Sequence, residues 1–129
     1  MDRAAELVAE ARRNAAVMEP FHAIYLAVAD YLLGNYALTA EQCGLGAGLM
    51  PTVGGWHSLA LWKLGRKDDA VPRLRAYLTE IRRDWHGVPE PSDADIRDWF
   101  TACFPLRSDA ARAGLRNGID AILAAEKRA

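Results

Sequence analysis

The chain has 129 residues, of which 51% are hydrophobic and 26% are charged, and this composition predicts a folded globular domain rather than a disordered polypeptide. Its 16 Lys and Arg against 17 Asp and Glu leave a net charge of −1, which argues against nucleic acid as the main partner because binding phosphates needs a surplus of positive charge. No apolar stretch is long enough to span a membrane, and the first residues lack the apolar core of a secretion signal. We therefore expect a soluble cytoplasmic protein in which Cys43 and Cys103 are free, buried thiols. Abundant Ala, Arg and Gly with few Lys favour a bacterial origin.

The apolar residues recur at helical spacing, and no segment alternates between polar and apolar residues, so the pattern predicts an all-α fold. The predicted helices, in chain order, cover residues 2–18, 20–33, 37–50, 56–64, 68–85, 92–104 and 108–127. The first helix has an apolar stripe on one face, whereas the second is apolar nearly all round and should lie at the centre. Short links between these seven helices favour antiparallel neighbours.

Capping residues mark where the later helices begin. Asp68 is expected to cap the fifth helix, with Pro72 in its first turn, where a missing amide does little harm. Ser92 and Asp95 resemble a capping box at the start of the sixth helix. Ser108 is expected to cap the seventh.

A six-residue pattern occurs twice, over residues 29–34 and 60–65. It reads alanine, any residue, an aromatic residue, any residue, leucine and glycine, and the two glycines are 31 positions apart. A repeat at this distance in a helical chain is typical of stacked helix hairpins. Residues 56–81 resemble a tetratricopeptide repeat, with small residues at the packing positions and a glycine at the turn. Residues 21–50 resemble the same repeat more loosely.

The resemblance implies a single helical domain over residues 1–129, with tetratricopeptide-like hairpins at 21–85 and C-terminal capping helices at 92–127. In this family the first helix of each repeat lines a concave surface. The residues that would line it here are Tyr25, Val28, Tyr31, Leu32, Trp56, Leu59, Trp62 and Lys63. The subgroup that binds acidic peptide C-termini needs several Lys, Arg and Asn residues there, and only Lys63 fits. We therefore expect an apolar helix, or the chain's own terminal helix, to occupy this surface.

These features favour a non-enzymatic protein-interaction module, such as an adaptor, inhibitor or immunity-type protein, that binds a protein or peptide partner and needs no cofactor or metal. The predicted binding residues are Tyr25, Tyr31, Trp56, Trp62 and Lys63. The alternative is a small all-helical ligand-binding protein or enzyme with an aromatic-lined pocket, in which Asp30 and His57 would carry the chemistry. A homodimer is a third possibility, because a short helical stack has open ends.

Asp30 is unusual because it lies in an almost wholly apolar helix. If it is buried, it needs a partner, for which Glu41, His57 and Lys63 are candidates; otherwise it marks the exposed edge of its helix. His22 and His57 each lie at the start of a helix, where the dipole disfavours the charged imidazole, so either could act as a general base.

The glycine-rich run over residues 44–55 lacks the Lys and Ser/Thr of a phosphate-binding loop, so close helix packing followed by a loop at 52–55 is its expected role. Cys43 with His57 could form a nucleophile–base pair, but no third, orienting residue can be named. The chain has four tryptophans, Trp56, Trp62, Trp85 and Trp99. Most are expected in the core, and one or two in an aromatic pocket.

Overall fold

The computed structural model describes residues 2–14, 20–46, 50–87, 89–103, 106 and 108–128. In this part of the chain there are seven α-helices and no strand, which confirms the all-α fold. The helices are α1 (Asp2–Asn14), α2 (Pro20–Leu32), α3 (Tyr36–Leu45), α4 (Val53–Lys63), α5 (Lys67–Asp84), α6 (Asp93–Ala102) and α7 (Asp109–Arg128). Within the same residues, no helix is both long and apolar enough to cross a membrane.

The two copies of the six-residue pattern form the same turn. Gly34, after α2, has φ +87°, and Gly65, after α4, has φ +80°, a conformation that favours glycine because other residues are strained there. In each turn the amide that follows the glycine donates to the carbonyl five residues earlier, at 2.8 Å in the first turn and 2.9 Å in the second. This is the hydrogen bond of a Schellman-type helix end. Gly65, the glycine expected at the turn of the second hairpin, therefore ends α4 with a positive φ.

Helix α4 lies at the centre of the fold, where it packs mainly between α3 and α5 and also contacts α2 and α7. Aromatic rings from five helices form a continuous chain through this core, with successive centroids 5.2 to 6.1 Å apart. In order along the chain of contacts the rings are those of Tyr36, Tyr31, Trp56, Phe100 and Tyr77. These tilted and edge-to-face contacts add specificity to the burial of apolar surface that holds the helices together.

The start of α4 differs from the prediction of a loop at residues 52–55. Gly54 and Gly55 lie in the first turn of the helix, which begins at Val53. A Cβ on Gly54 would lie 2.8 Å from the ring of Tyr77, and a Cβ on Gly55 would lie 2.5 Å from the ring of Phe100. The two glycines therefore let aromatic rings of α5 and α6 rest directly on the backbone of α4, a long-range contact that local propensity does not reveal.

The earlier part of the glycine-rich run partly follows the prediction of close helix packing. A Cβ on Gly46 would lie 2.5 Å from Cδ1 of Ile24, so this glycine allows α2 to approach the end of α3. At Gly44 the nearest atom to such a Cβ is 3.9 Å away, so no close approach occurs there. Gly48 lies outside the described residues.

Two of the predicted caps are confirmed. The hydroxyl of Ser92 accepts a hydrogen bond from the amide of Asp95 at 3.1 Å, and the Asp95 carboxylate accepts one from the amide of Ser92 at 3.0 Å. The hydroxyl of Ser108 accepts a hydrogen bond from the amide of Ala111 at 3.1 Å. Each contact satisfies an amide that the helix itself leaves without a partner.

The prediction for the start of α5 is wrong. The residue before the helix is Arg66, so Asp68 is not the cap but a residue of the first turn, where its charge complements the helix dipole. Pro72 consequently lies beyond the first turn, inside the helix. The tight turn at Gly65 sets this earlier start, because it leaves only one residue between the turn and the helix.

A cluster of charged side chains joins α5 to the two C-terminal helices. Arg75 donates from Nε to Glu126 of α7 at 2.9 Å and from Nη2 to Asp93 of α6 at 3.2 Å. Arg82 also pairs with Asp93. Arg75 and Arg82 lie two turns apart on α5 and therefore hold the beginning of α6 and the end of α7 on the same side of the fold.

Helix α1 packs against α2 through few contacts. Its apolar stripe remains largely uncovered: Leu7 is 48% exposed, and Val8 is half-buried. The predicted end of this helix near Met18 lies outside the described residues, which place its last helical residue at Asn14.

Candidate partner-binding pocket

The five residues predicted to bind a partner occupy two different environments. Trp56 has no exposed surface and Tyr31 is only 7% exposed, and their ring centroids lie 5.3 Å apart. By contrast, Tyr25 is 60% exposed, Lys63 is exposed, and Trp62 is half-buried. The structure thus places Trp56 and Tyr31 in the core, because α6 and the neighbouring helices cover the indole, and it leaves the other three accessible. Binding by these residues stays a prediction.

A small pocket remains where the predicted face meets α7. Its volume is about 200 Å³, and we call it the Tyr31 pocket. The residues that line it are Tyr31, Leu32, Tyr36, Lys63, Ala111, Gly114 and Leu115. They come from the end of α2, the start of α3, the end of α4 and the first half of α7. The chain's own terminal helix therefore covers part of the predicted face, and it forms one wall of what is left open.

The wall contributed by α7 contains two small residues beside Leu115. Ala111 and Gly114 are three positions apart and share one face of the helix. A Cβ on Gly114 would meet no atom of the described residues within 4 Å, so no packing contact in that part of the chain explains a glycine inside this helix. Glycine in a helix interior costs about 1 kcal/mol relative to alanine. Here it keeps the pocket wide.

The pocket is apolar with one positive charge. Lys63 is the one charged side chain among the described residues that line it, and its Nζ lies 6.0 Å from the centroid of the Tyr36 ring. Burial and the neighbouring Tyr36 raise the pKa of Tyr31 to about 12, so this phenol stays neutral at neutral pH. The pocket can accept an apolar group with an acidic group beside it.

Beside the pocket, two large side chains are exposed on one side of α2. Leu32, on the rim of the pocket, is 43% exposed, and Tyr25 lies seven residues earlier. Residues seven apart are on the same side of a helix, separated by roughly 10 Å at a rise of 1.5 Å per residue. Trp62 does not line the pocket; instead Nζ of Lys67 lies 5.0 Å from the centroid of its ring.

Asp30 is buried, with 1% of its surface exposed, so it does not mark an exposed edge of α2. Asn35, a partner that the sequence analysis did not consider, donates from Nδ2 to the Asp30 carboxylate at 3.5 Å, and its amide donates to the Asp30 carbonyl. These contacts stabilise the turn between α2 and α3. Asp30 lines neither the Tyr31 pocket nor the groove at His57.

His57 lies in a separate groove of about 650 Å³ between α3, α4 and α5. Arg73 donates from Nε to His57 Nδ1 at 3.2 Å, which leaves the proton of the neutral ring on Nε2. Burial, together with the charges of Arg73 and Arg66, lowers the pKa of His57, so the imidazole is neutral at neutral pH. The side chain of His22, the other histidine considered as a base, lies outside the described residues.

The two cysteines differ in exposure. Cys43 is buried and Cys103 is exposed, and both are free, so the expectation that both thiols are buried is wrong for Cys103. Burial raises the pKa of Cys43 to about 12, which keeps it protonated. This does not suit the nucleophile of a Cys43–His57 pair, because a thiol reacts as its thiolate.

The sequence analysis missed the contributions of Tyr36, Ala111 and Gly114 to the pocket. Tyr36 directly follows the turn after α2, and the i, i+3 spacing of the two small residues on α7 is a signal of close approach or of an open face. Neither signal indicates which distant helix lies opposite.

Comparisons with protein-family models, with curated proteins and with solved structures found no match to this chain.

Proposed function

We propose that this chain is a non-enzymatic protein-interaction module, of the adaptor, inhibitor or immunity type, and that it binds an amphipathic helix of a partner protein. The observation that carries the proposal is the Tyr31 pocket with Leu32 exposed on its rim and Tyr25 exposed two turns away on the same side of α2. A partner lying along α2 would meet both side chains and the recess.

The size of the recess favours a side chain over a free ligand. Small-molecule pockets commonly measure about 300–1,000 Å³, whereas the Tyr31 pocket has about 200 Å³. A recess of this size suits one large apolar anchor, and such anchors dominate the energy of many protein interfaces.

The spacing and charge of the surface favour a helix as the partner's binding element. Leu32 and Tyr25 are two turns apart on α2. A partner helix lying along α2 would contact both of them with anchor residues at its own positions i and i+7. Lys63 on the rim favours an acidic residue next to the anchor. The similarity to tetratricopeptide hairpins is part of the same proposal, and the two equivalent glycine turns support it.

The ligand-binding or enzymatic alternative would use the groove at His57. Its volume of about 650 Å³ falls within the range of small-molecule pockets. We rank it second because Asp30, the other residue proposed for acid–base chemistry, does not line that groove. Glu41 and Asp69 also line the groove, but the hydrogen-bond partner of the neutral His57 imidazole is Arg73, which is a weak basis for a reaction.

A displayed library of amphipathic helices, selected against the unmodified chain, provides probes for the test. The affinity of the selected peptides is then measured by fluorescence anisotropy for the unmodified chain and for Gly114→Leu, which fills the recess. We expect at least tenfold weaker binding to Gly114→Leu and to Leu32→Ala, since buried anchors contribute about 2 kcal/mol or more.

Gly114→Ala and Leu38→Ala are the matched controls. The first leaves most of the recess open, and the second removes an exposed leucine of α3 that does not line the pocket. Selected peptides that bind all four variants equally well would show that the partner surface lies elsewhere. Failure of the selection to yield any binder would also count against the proposal.

A further inference from the structure

A third opening lies between the residues just before α4, the end of α5 and α6. Its volume is about 470 Å³, within the range of small-ligand sites. The residues that line it are Met50, Pro51, Glu80, Ile81, Arg83, Asp84, Trp85 and Trp99. None of them lines the Tyr31 pocket.

Two tryptophans form a corner in this opening. The rings of Trp85 and Trp99 are both half-buried, their centroids lie 6.2 Å apart, and their planes meet at 79°. The indole of Trp85 folds back over the chain, so that a Cβ on Gly87 would lie 2.5 Å from its Nε1. The absence of a side chain at Gly87 therefore gives the Trp85 ring its place in the corner.

The corner has a carboxylate rim. Glu80 and Asp84 are four residues apart on α5 and share one face of the helix. Arg83 also lines the opening and pairs with Asp84 at 3.2 Å, but both side chains are about 70% exposed, and such pairs are weak. Arg73 reaches Glu80 only at 3.6 Å. The lining thus carries two carboxylates against one guanidinium.

We propose that this tryptophan corner binds an organic cation of the quaternary ammonium class. A cation held against the faces of two nearly perpendicular indoles interacts favourably with both ring quadrupoles. The methyl groups of such a cation would contact Met50 and Ile81, and the carboxylates of Glu80 and Asp84 would balance its charge. An anion is excluded by the same carboxylates.

Choline and its uncharged isostere 3,3-dimethylbutanol are the probes, and binding is measured by isothermal titration calorimetry on the full chain. Because the two molecules have the same shape, the difference between them reports the charge. We expect saturable binding of choline and at least fivefold weaker binding of the neutral isostere. Equal affinity for both would overturn the proposal, and so would the absence of saturable choline binding.

Variants then locate the site. Asp84→Lys reverses an exposed charge at the rim without touching the core, and we expect it to weaken choline binding about tenfold. Asp68→Lys makes the same change at the opposite end of α5 and should leave the affinity unchanged. Equal effects of the two variants would show that only the net charge matters, which would overturn the assigned site. Trp99→Leu, checked for folding by circular dichroism, should abolish binding.

The source of the cation is distinguished by a peptide that contains trimethyl-lysine. A peptide that binds more tightly than choline assigns the corner to a methylated protein side chain, and the reverse order assigns it to a free small molecule. Both orders require that Asp84→Lys weaken the binding; a peptide whose affinity this variant does not change contacts another surface and contradicts the site.

Discussion

Helix α7 contains two glycines that differ in what lies opposite them. Gly114 and Gly118 are both inside the helix, so alanine at either position brings the same gain in helix propensity. A Cβ at residue 114 would have no neighbour within 4 Å in the described part of the chain, whereas a Cβ at residue 118 would lie 2.6 Å from Cδ2 of Leu59, which is fully buried on α4. The pair therefore separates propensity from packing within one helix.

The expected magnitudes follow from these surroundings. Gly114→Ala should raise the free energy of unfolding by about 1 kcal/mol. In Gly118→Ala the same gain is opposed by overpacking, which costs about 1–3 kcal/mol in a filled core. The lower end applies, because the crowded atom is the end of the Leu59 side chain. Gly118→Ala should then be no more stable than the unmodified chain. Its free energy of unfolding should be at least about 1 kcal/mol below that of Gly114→Ala, which corresponds to a Tm lower by roughly 4 °C.

Urea unfolding followed by circular dichroism at the helical band measures both variants against the unmodified chain. Equal slopes against urea concentration are required, so that the midpoints report stability alone. If Gly118→Ala gains as much stability as Gly114→Ala, then α7 does not lie against Leu59. In that case α7 could not form the wall of the Tyr31 pocket, and the proposed partner surface would fail with it.

Further predictions concern a turn, the thiols and an ion pair. Gly65→Ala should lower the free energy of unfolding by about 1 kcal/mol in the same urea assay, because the residue has φ +80°; a neutral result would contradict the helix-ending role. With a thiol reagent, Cys103 should react in the folded protein and Cys43 only after unfolding, and intact mass under non-reducing conditions should show no disulfide. The hydrogen bond from Arg75 lowers the pKa of Glu126, so the ionised Glu126 stabilises the folded protein at pH values above the ordinary pKa of a glutamate. This stabilisation is lost as the pH falls below that value. Arg75→Gln should flatten the fall in Tm between about pH 5 and pH 3, and an unchanged slope would refute this assignment.

The candidate site could be predicted only in part. The resemblance to tetratricopeptide repeats implies that Lys63 and Leu32 lie on one surface, and both line the Tyr31 pocket. Trp56 was placed on the same face, yet it is buried. Aromatic side chains suit a core and an interface equally well, because both reward large apolar area. Only the helices that cover a ring decide between the two roles.

Features that depend on a few neighbouring residues were determined by the sequence alone. The positive φ at Gly34 and Gly65 and the capping box at Ser92 arise from backbone conformation and hydrogen bonds within about six residues. The seven helices follow from apolar periodicity, which is also local. The residues that determine these features are close together in the chain, so a pattern of residue types is enough to predict them.

The tertiary structure alone decided which residues meet across the fold. Gly54 and Gly55 enter α4 because rings from α5 and α6 rest on them, and the corner of Trp85 and Trp99 forms because α6 returns to the end of α5. These contacts join residues that are far apart in the chain, and their energy depends on the shape of every surface between them. The shape of these surfaces depends on how all the helices pack together, and local sequence patterns do not specify it. The site could therefore be identified only from the tertiary structure.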